Sequence, residues 1–391
     1  MELALNMYLL KLYAAEDFYR DLSYLEMLAT FLLVSHRIRR IALNTPTLWS
    51  IVLIGRTGFP YSLFLERSRN VPLKVFWLNE ATSKDDFFWD FRRHWRSLIV
   101  ISDEDFTASF PTGLVDFPAL EVLEIRSHHR LHSYSSFPMP VLKHLVLRLD
   151  NTEPPLLRDL AAILANWKVL KHITFAILNG EILEDSYPII DLPSLCSFEF
   201  SIWHYDQVET STILAMFRAP NLRKLDICLR SKYAWPAEAI FDNLNFGESV
   251  QSLEFGYMHV RYNERFSVPF RSIARRFSNI SELTVACCEL PDTEQLRDCL
   301  MPTLLHLLVL WESGDPIWQD TFVDDMLAFL VNRKMQFNGQ GGGYVPLRLT
   351  IDSPSYRKGL AGAVADGLVI LEIGSWWEYR KKYDVLWPMY N

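Results

Sequence analysis

An apolar-x-x-apolar-x-apolar pattern that returns eight times constrains this chain more than any other feature. It is carried by Leu120, Leu123 and Ile125, then Leu142, Leu145 and Leu147, then Leu170, Ile173 and Phe175. Leu195, Phe198 and Phe200 come next, then Leu222, Leu225 and Ile227, then Val250, Leu253 and Phe255. Ile280, Leu283 and Val285 and finally Leu304, Leu307 and Val309 complete the series. Alternation at the last positions is the period of a strand with one buried face. Successive units start 22, 28, 25, 27, 28, 30 and 24 residues apart, a mean of about 26. So short a unit cannot bury its own apolar face, and stacking on its neighbours is the way it acquires a core. Proline stands two residues ahead of five of the units, at Pro118, Pro140, Pro193, Pro220 and Pro302.

Between the strands the apolar period lengthens to that of a helix. Leu156, Leu157, Leu160, Ile163 and Leu164 predict one helix, and Ile213, Leu214, Met216 and Phe217 a second. Phe270, Ile273, Ala274 and Phe277 predict a third, and Phe322 to Leu330 a fourth, with a loop after it over Asn338–Gly343. Trp95, Leu98 and Val100 keep the strand spacing 25 residues before Leu120, and the last strands are expected at 345–351 and 368–373. An aromatic tail with Trp376, Trp377, Tyr379 and Trp387 is suited to capping the end of the stack. The stretch Ile280-x-x-Leu283-x-Val285-x-x-Cys288-x-Leu290 resembles the leucine-rich repeat. The resemblance implies an α/β solenoid with parallel strands on a concave face and helices on the convex one.

Half of the residues are hydrophobic, with 12 Trp and 25 Phe, which excludes a disordered chain. A net charge of −8 argues against binding a nucleic-acid backbone. No apolar run reaches the roughly 18 residues of a membrane span, so no membrane partner is expected. Five cysteines, an odd number without a C-x-x-C pair, read as buried free thiols in a reducing compartment, cytoplasmic or nuclear.

Residues 1–50 are helical in pattern and differ from the rest of the chain. Leu33 to Leu43 reads as one helical run with Val34, Ile38, Ile41 and Ala42 on one face, ended by Asn44-Thr45-Pro46. Val34 to Trp49, with Ile41-Ala42-Leu43-Asn44-Thr45-Pro46-Thr47-Leu48-Trp49 at its end, resembles the second half of the F-box in fungal F-box proteins. Leu65-Glu66-Arg67-Ser68-Arg69-Asn70-Val71-Pro72-Leu73 resembles the segment that often comes after it there. The opening Leu-Pro of that family is missing, Ser35 stands where Cys is usual, and Ile38 where Trp is usual. The domains expected are a helical F-box-like unit over 1–50, a transition with first irregular repeats over 51–116, the repeat arc over 117–352 and a capping segment over 353–391.

The resemblance implies a non-catalytic substrate-recognition subunit of a cullin ubiquitin ligase. It would hold a Skp-type adaptor through residues near 28–49, with Val34, Ile38, Ile41, Leu48 and Trp49 as the apolar contact, and a target protein on the arc. The alternative is a leucine-rich-repeat scaffold without a ligase role. An enzyme has little to support it. His128-His129-x-x-His132 lacks a Cys, Asp or Glu partner at ligand spacing, and Gly339-Gln340-Gly341-Gly342-Gly343 lacks the Lys-Ser/Thr of a phosphate loop. No catalytic residue, metal or cofactor is therefore expected. For the target, strand alternation sends Glu124, Val146, Thr174, Glu199, Asp226, Glu254, Thr284 and Leu308 to the concave face. Glu199, Asp226 and Glu254 are expected there as one exposed acidic row for a basic segment, with Lys224 beside it and Trp203, Tyr205, Tyr257 and His259 as an aromatic rim beyond the strand ends.

Overall fold

The computed structural model describes residues 28, 30, 32–33, 35–54, 61–78, 89–102, 116–127, 138–149, 157–177, 188–203, 211, 213–231, 240–241, 244–259, 268–287, 293–299, 301–311, 319–339, 344–351 and 356–375. The aromatic tail, Val34, Tyr205, Cys288 and the His128–His132 cluster lie outside them. The chain is α/β, with parallel strands, and divides into two compact units, one within Met1–Pro155 and one within Leu156–Tyr379.

In the first unit, α1 (His36–Leu43) and a 3-10 turn over Pro46–Trp49 lead into β1 (Ile51–Ile54). Then come α2 (Tyr61–Ser68), β2 (Leu73–Leu78), β3 (Trp95–Ser102), β4 (Val122–Ser127) and β5 (His144–Leu149). The five strands pair in parallel in chain order, with one register shift beside Leu73. The stretch Leu65–Leu73 that resembles the F-box follow-on is a helix end. Leu65 and Leu73 are buried, and the buried Ser68 hydroxyl donates back to Leu65 O at 2.8 Å. Arg69 takes the left-handed conformation (φ 55°) that turns the chain out of α2. A row of buried rings, Trp77, Trp89, Trp95 and Phe117, runs through this core at centroid spacings of 5.8, 5.7 and 5.5 Å.

The second unit contains α3 (Leu157–Ala165), β6 (His172–Ile177), β7 (Ile190–Asp191), β8 (Ser197–Trp203), β9 (Phe217–Arg218), β10 (Lys224–Ser231) and β11 (Ser252–His259). It continues with α4 (Phe270–Arg276), β12 (Glu282–Cys287), a 3-10 turn over Glu294–Asp298, β13 (His306–Trp311), α5 (Gln319–Gly339), β14 (Leu347–Ile351), α6 (Tyr356–Ala365) and β15 (Val369–Ile373). Strands β6, β8 and β10 to β15 form one parallel sheet in that order, and β7 pairs with β9 beside it. Phe217 therefore belongs to a short strand, not to the helix expected from its spacing. Among the described residues Ser211 and Ile213 to Ala215 before it are helical, and the chain turns at Met216. The helix expected to stop near Leu330 runs to Gly339, so Asn338 and Gly339, expected in the loop, are helical.

All sixteen second and third apolar residues of the repeated pattern, from Leu123 and Ile125 to Leu307 and Val309, are buried. The recurrent proline has a local cause. In each unit the first apolar residue donates its N–H to the carbonyl three residues back, as Leu120 does to Phe117, Leu195 to Leu192 and Leu304 to Met301. Proline then occupies the second position of a four-residue turn, where its fixed φ is already correct. The next link is also repeated. The Cys196 carbonyl accepts from both Arg223 and Lys224, that of Arg223 from Gln251 and Ser252, and that of Gln251 from Ser281 and Glu282, at 2.8–3.0 Å. Side chains add to it, with Asn221 Nδ2 donating to Pro193 O at 2.7 Å and Asn279 Nδ2 to Glu248 O at 2.6 Å.

Polar groups anchor α5. The buried Asp325 carboxylate accepts from Thr293 Oγ1 at 2.7 Å and pairs with Arg297. Arg333, 2 % exposed, donates from Nη1 to Val345 O at 2.7 Å and from Nη2 to Leu304 O at 2.6 Å. Its guanidinium lies 4.8 Å from the Phe337 ring centroid and 5.3 Å from that of Tyr344. At the end of α6, Gly367 (φ 64°) and Leu368 donate to Val364 O and Ala363 O at 3.1 and 2.9 Å, a closing turn that needs the left-handed glycine.

Tyr356 opens α6, buried against Trp311 and Phe322 with ring centroids 5.2 and 5.1 Å away. Burial pushes its hydroxyl up to about 12, because the phenolate would lose its water. The folded state therefore keeps a proton that the unfolded chain releases near pH 10. The contribution to stability is complete below about pH 10 and is lost as pH rises towards about 12. Urea unfolding at stepped pH should show Tyr356→Phe retaining roughly 2–3 kcal/mol that the wild type loses across that interval.

Candidate functional site

Two surfaces carry the residues singled out in the sequence, one in each unit. In the first unit, α1 begins at Ser35, whose hydroxyl accepts the Ile38 N–H at 3.2 Å with extended backbone. That cap breaks, at Ser35, the helical run expected to be continuous from Leu33. The reason is local, since a serine side chain competes for the backbone of the first turn. At the other end Asn44 Nδ2 donates to Arg40 O at 2.9 Å and Thr45 Oγ1 to Ile41 O at 2.8 Å, so two end carbonyls are met before Pro46 stops the helix.

The remaining four predicted contact residues separate into anchors and surface. Trp49 is buried, edge-on to Phe64 at 4.9 Å, and its Nε1 donates to Ala42 O at 2.8 Å. It fastens the C-terminal end of α1 to the unit beneath, while Leu48 is half-buried beside it. Ile38 and Ile41 are 37 % and 57 % exposed. They share one helix face with the buried Ala42, and Arg37, Arg39 and Arg40 are exposed around them. Among the described residues none of these arginines is in an ion pair, and α1 contains no acid. The result is a short helix, capped at both ends, with two aliphatic side chains in solvent inside a cationic border.

In the second unit the register places the acidic residues as alternation requires. Asp226 is opposite Glu199 on one side and Glu254 on the other, and Lys224 lies between Ser197 and Ser252. All three carboxylates are on the face opposite the buried ladder. Exposure differs from the expectation, however. Glu199 and Glu254 are partly exposed, but Asp226 is 2 % exposed. One methylene shorter than the glutamates on either side, it does not reach past them to solvent. The three-carboxylate row therefore reduces to two partly exposed glutamates, and Glu199 also accepts from Thr174 Oγ1 at 3.1 Å. Trp203, Tyr257 and His259 lie within β8 and β11, not beyond the strand ends where the aromatic rim was expected, because both strands run further than the apolar pattern marks.

The same row in the first unit holds an ion cluster that spacing alone did not disclose. Glu124 pairs with Arg126 at 2.7 Å and with Arg148 on the next strand at 3.6 Å, all three largely shielded. Nearby, hydrogen bonding from Lys143, helped by Arg96, holds the Glu121 carboxyl below its usual range. The signal in the sequence was the one-residue gap Glu124-x-Arg126, which puts opposite charges on one face of a strand.

Further down the second sheet His306 Nε2 lies 3.0 Å from Thr350 Oγ1, which donates to Glu372 Oε2 at 3.3 Å. Cys228, Cys287 and Cys299 are buried thiols, and burial pushes Cys299 up to about 12. Among the described residues no group of three His, Cys, Asp or Glu side chains is placed to hold a metal ion, and no helix is long and apolar enough to cross a membrane. No model of a known protein family matches this chain, and no curated protein matches it.

Proposed function

We propose that this chain is an F-box-like leucine-rich-repeat protein that recruits a target to a cullin ubiquitin ligase. It acts by tethering, without chemistry of its own. α1 and the Pro46–Trp49 turn dock a Skp-type adaptor, and the repeat surface with Glu199 and Glu254 holds the target. Holding both raises the effective concentration of the target at the ubiquitin-loaded enzyme.

The observation that supports this reading is the division of labour around α1. Trp49 and Ala42 are buried and fix the helix, while Ile38 and Ile41 remain in solvent. Apolar side chains so exposed on a well-capped helix suit a partner groove. The exposed Arg37, Arg39 and Arg40 suit an acidic border on that groove.

Binding of the purified full chain to a Skp-type adaptor tests the proposal. The wild type should bind. Ile38→Asp, at a partly exposed position, should leave the fold intact and weaken binding about 100-fold or more, because the carboxylate is desolvated without a partner in the contact. A wild type that does not bind removes the ligase role and leaves a leucine-rich-repeat scaffold.

A further inference from the structure

Strand β15 lies at one end of its sheet, as β1 does in the first unit, and among the described residues one of its edges has no partner strand. Leu347 N–H donates to Leu368 O at 3.2 Å, and Gly374 N–H donates to Ile351 O at 2.9 Å. In a parallel pair, alternate residues direct both backbone groups to one neighbour. Even-numbered residues of β15 therefore serve β14, and Val369, Leu371 and Ile373 turn their N–H and C=O groups outward. Among the described residues no backbone pairs with that side. The side chains agree. Ile373 is 41 % exposed, whereas Ile351 and Val309, the residues in register with it on β14 and β13, are fully buried. Ile370 is 51 % exposed.

Edges like this are usually blunted by a lysine, a proline or a bulge. β15 has none of these within Val369–Ile373. Its one charge, Glu372, is already engaged, 3.2 Å from Arg348 Nε and accepting from Thr350.

We infer that β15 is a homodimer interface, pairing antiparallel with β15 of a second copy about a two-fold axis at Leu371. The register is set by the outward groups. With Leu371 opposite its own copy, Val369 is opposite Ile373 of the second chain, so every outward N–H meets an outward C=O. Faces are preserved too, with aliphatic side chains against aliphatic ones on the core side. Glu372 falls opposite Ile370, so the two carboxylates do not confront each other. A parallel pairing of this edge with its copy needs the two strands offset by one residue and has no two-fold axis, whereas the antiparallel one has. A charged or polar partner strand would have to cover two exposed isoleucines.

Light scattering on the full chain eluting from a sizing column, at tens of micromolar, tests this. The expected wild-type mass is twice the 45.6 kDa of the chain. Leu371→Pro removes an N–H that points outward and spares the bonds to β14. It should raise the dissociation constant of the dimer at least tenfold and give the single-chain mass. Should Leu371→Pro lose its circular dichroism, the double variant Ile370→Lys, Ile373→Lys carries the test, with the same expected loss. A wild-type chain of single mass overturns the inference. So does a dimer that survives in the folded variants, or a species that forms only with a heterologous strand peptide added.

Discussion

Replacing Phe198 by alanine should cost about 3–5 kcal/mol, a large part of the roughly 5–15 kcal/mol that holds a domain folded. The side chain is fully buried on β8, with ring centroids of Phe217, Phe200 and Phe246 at 4.9, 6.1 and 6.4 Å. Removing the ring leaves a space bounded by other rings, which cannot turn into it without leaving their own contacts. The loss therefore combines apolar transfer with an unfilled cavity. A lower urea midpoint measures it, and hydrogen exchange locates it. Amides of β8 and β10 should exchange faster while those of the first unit do not. Equal acceleration in both units would show that Phe198 is not a local contributor to the second core.

Arg333→Met should destabilise the chain by about 2–5 kcal/mol, although it removes a charge from the interior. Burying a guanidinium is costly, and an aliphatic replacement of a buried ion pair is often harmless. Here the partners are two backbone carbonyls, Leu304 O and Val345 O, and they remain after the substitution. A carbonyl left buried without a donor costs about 1–3 kcal/mol. Stacking on Phe337 and Tyr344 is lost as well. Arg333→Lys should recover little, because an ammonium has no planar fork to reach both carbonyls. Unfolding in urea checks both variants, and a stable Arg333→Met would mean that water replaces the guanidinium at the two carbonyls.

Strand positions were legible because they obey two periods at once. Leu225 and Ile227 alternate along one strand, and they recur with Phe198, Phe200, Leu253 and Phe255 at the interval that stacking requires. A residue that satisfies both has few other places to go. Its register partners were legible with it, including Asp226 opposite Glu199 and Glu254. The burial of Asp226 was not, because alternation tells which face a side chain takes but not whether its neighbours outreach it. The break at Ser35 was hidden for a similar reason. Apolar spacing on either side of it was unbroken, and the cap depends on backbone geometry that spacing does not encode. Arg333 was missed because a lone arginine in a helix is ordinarily solvated. Its partners, Leu304 and Val345, are 29 and 12 residues away and offer only backbone.

Of the α1 surface, the exposed isoleucines lay within the predicted contact. Their separation from Trp49 into surface and anchor was not visible in the sequence, where both are simply apolar. The indole distinguishes itself through its N–H, which closes on Ala42 O seven residues earlier.

The doubled carbonyl link between successive units has a kinetic meaning. In the second unit every main-sheet pairing joins residues 22 to 42 positions apart, and none joins strands that are not successive in that sheet. Closing one more loop of that length costs about the same entropy wherever it is closed, since the cost grows only with the logarithm of loop length. Such a chain has low contact order for its size and no pairing that must wait for distant ends to meet. Assembly can start at any strand pair and spread in both directions, with Cys196, Arg223 and Gln251 each presenting the acceptor on which the next strand is laid down.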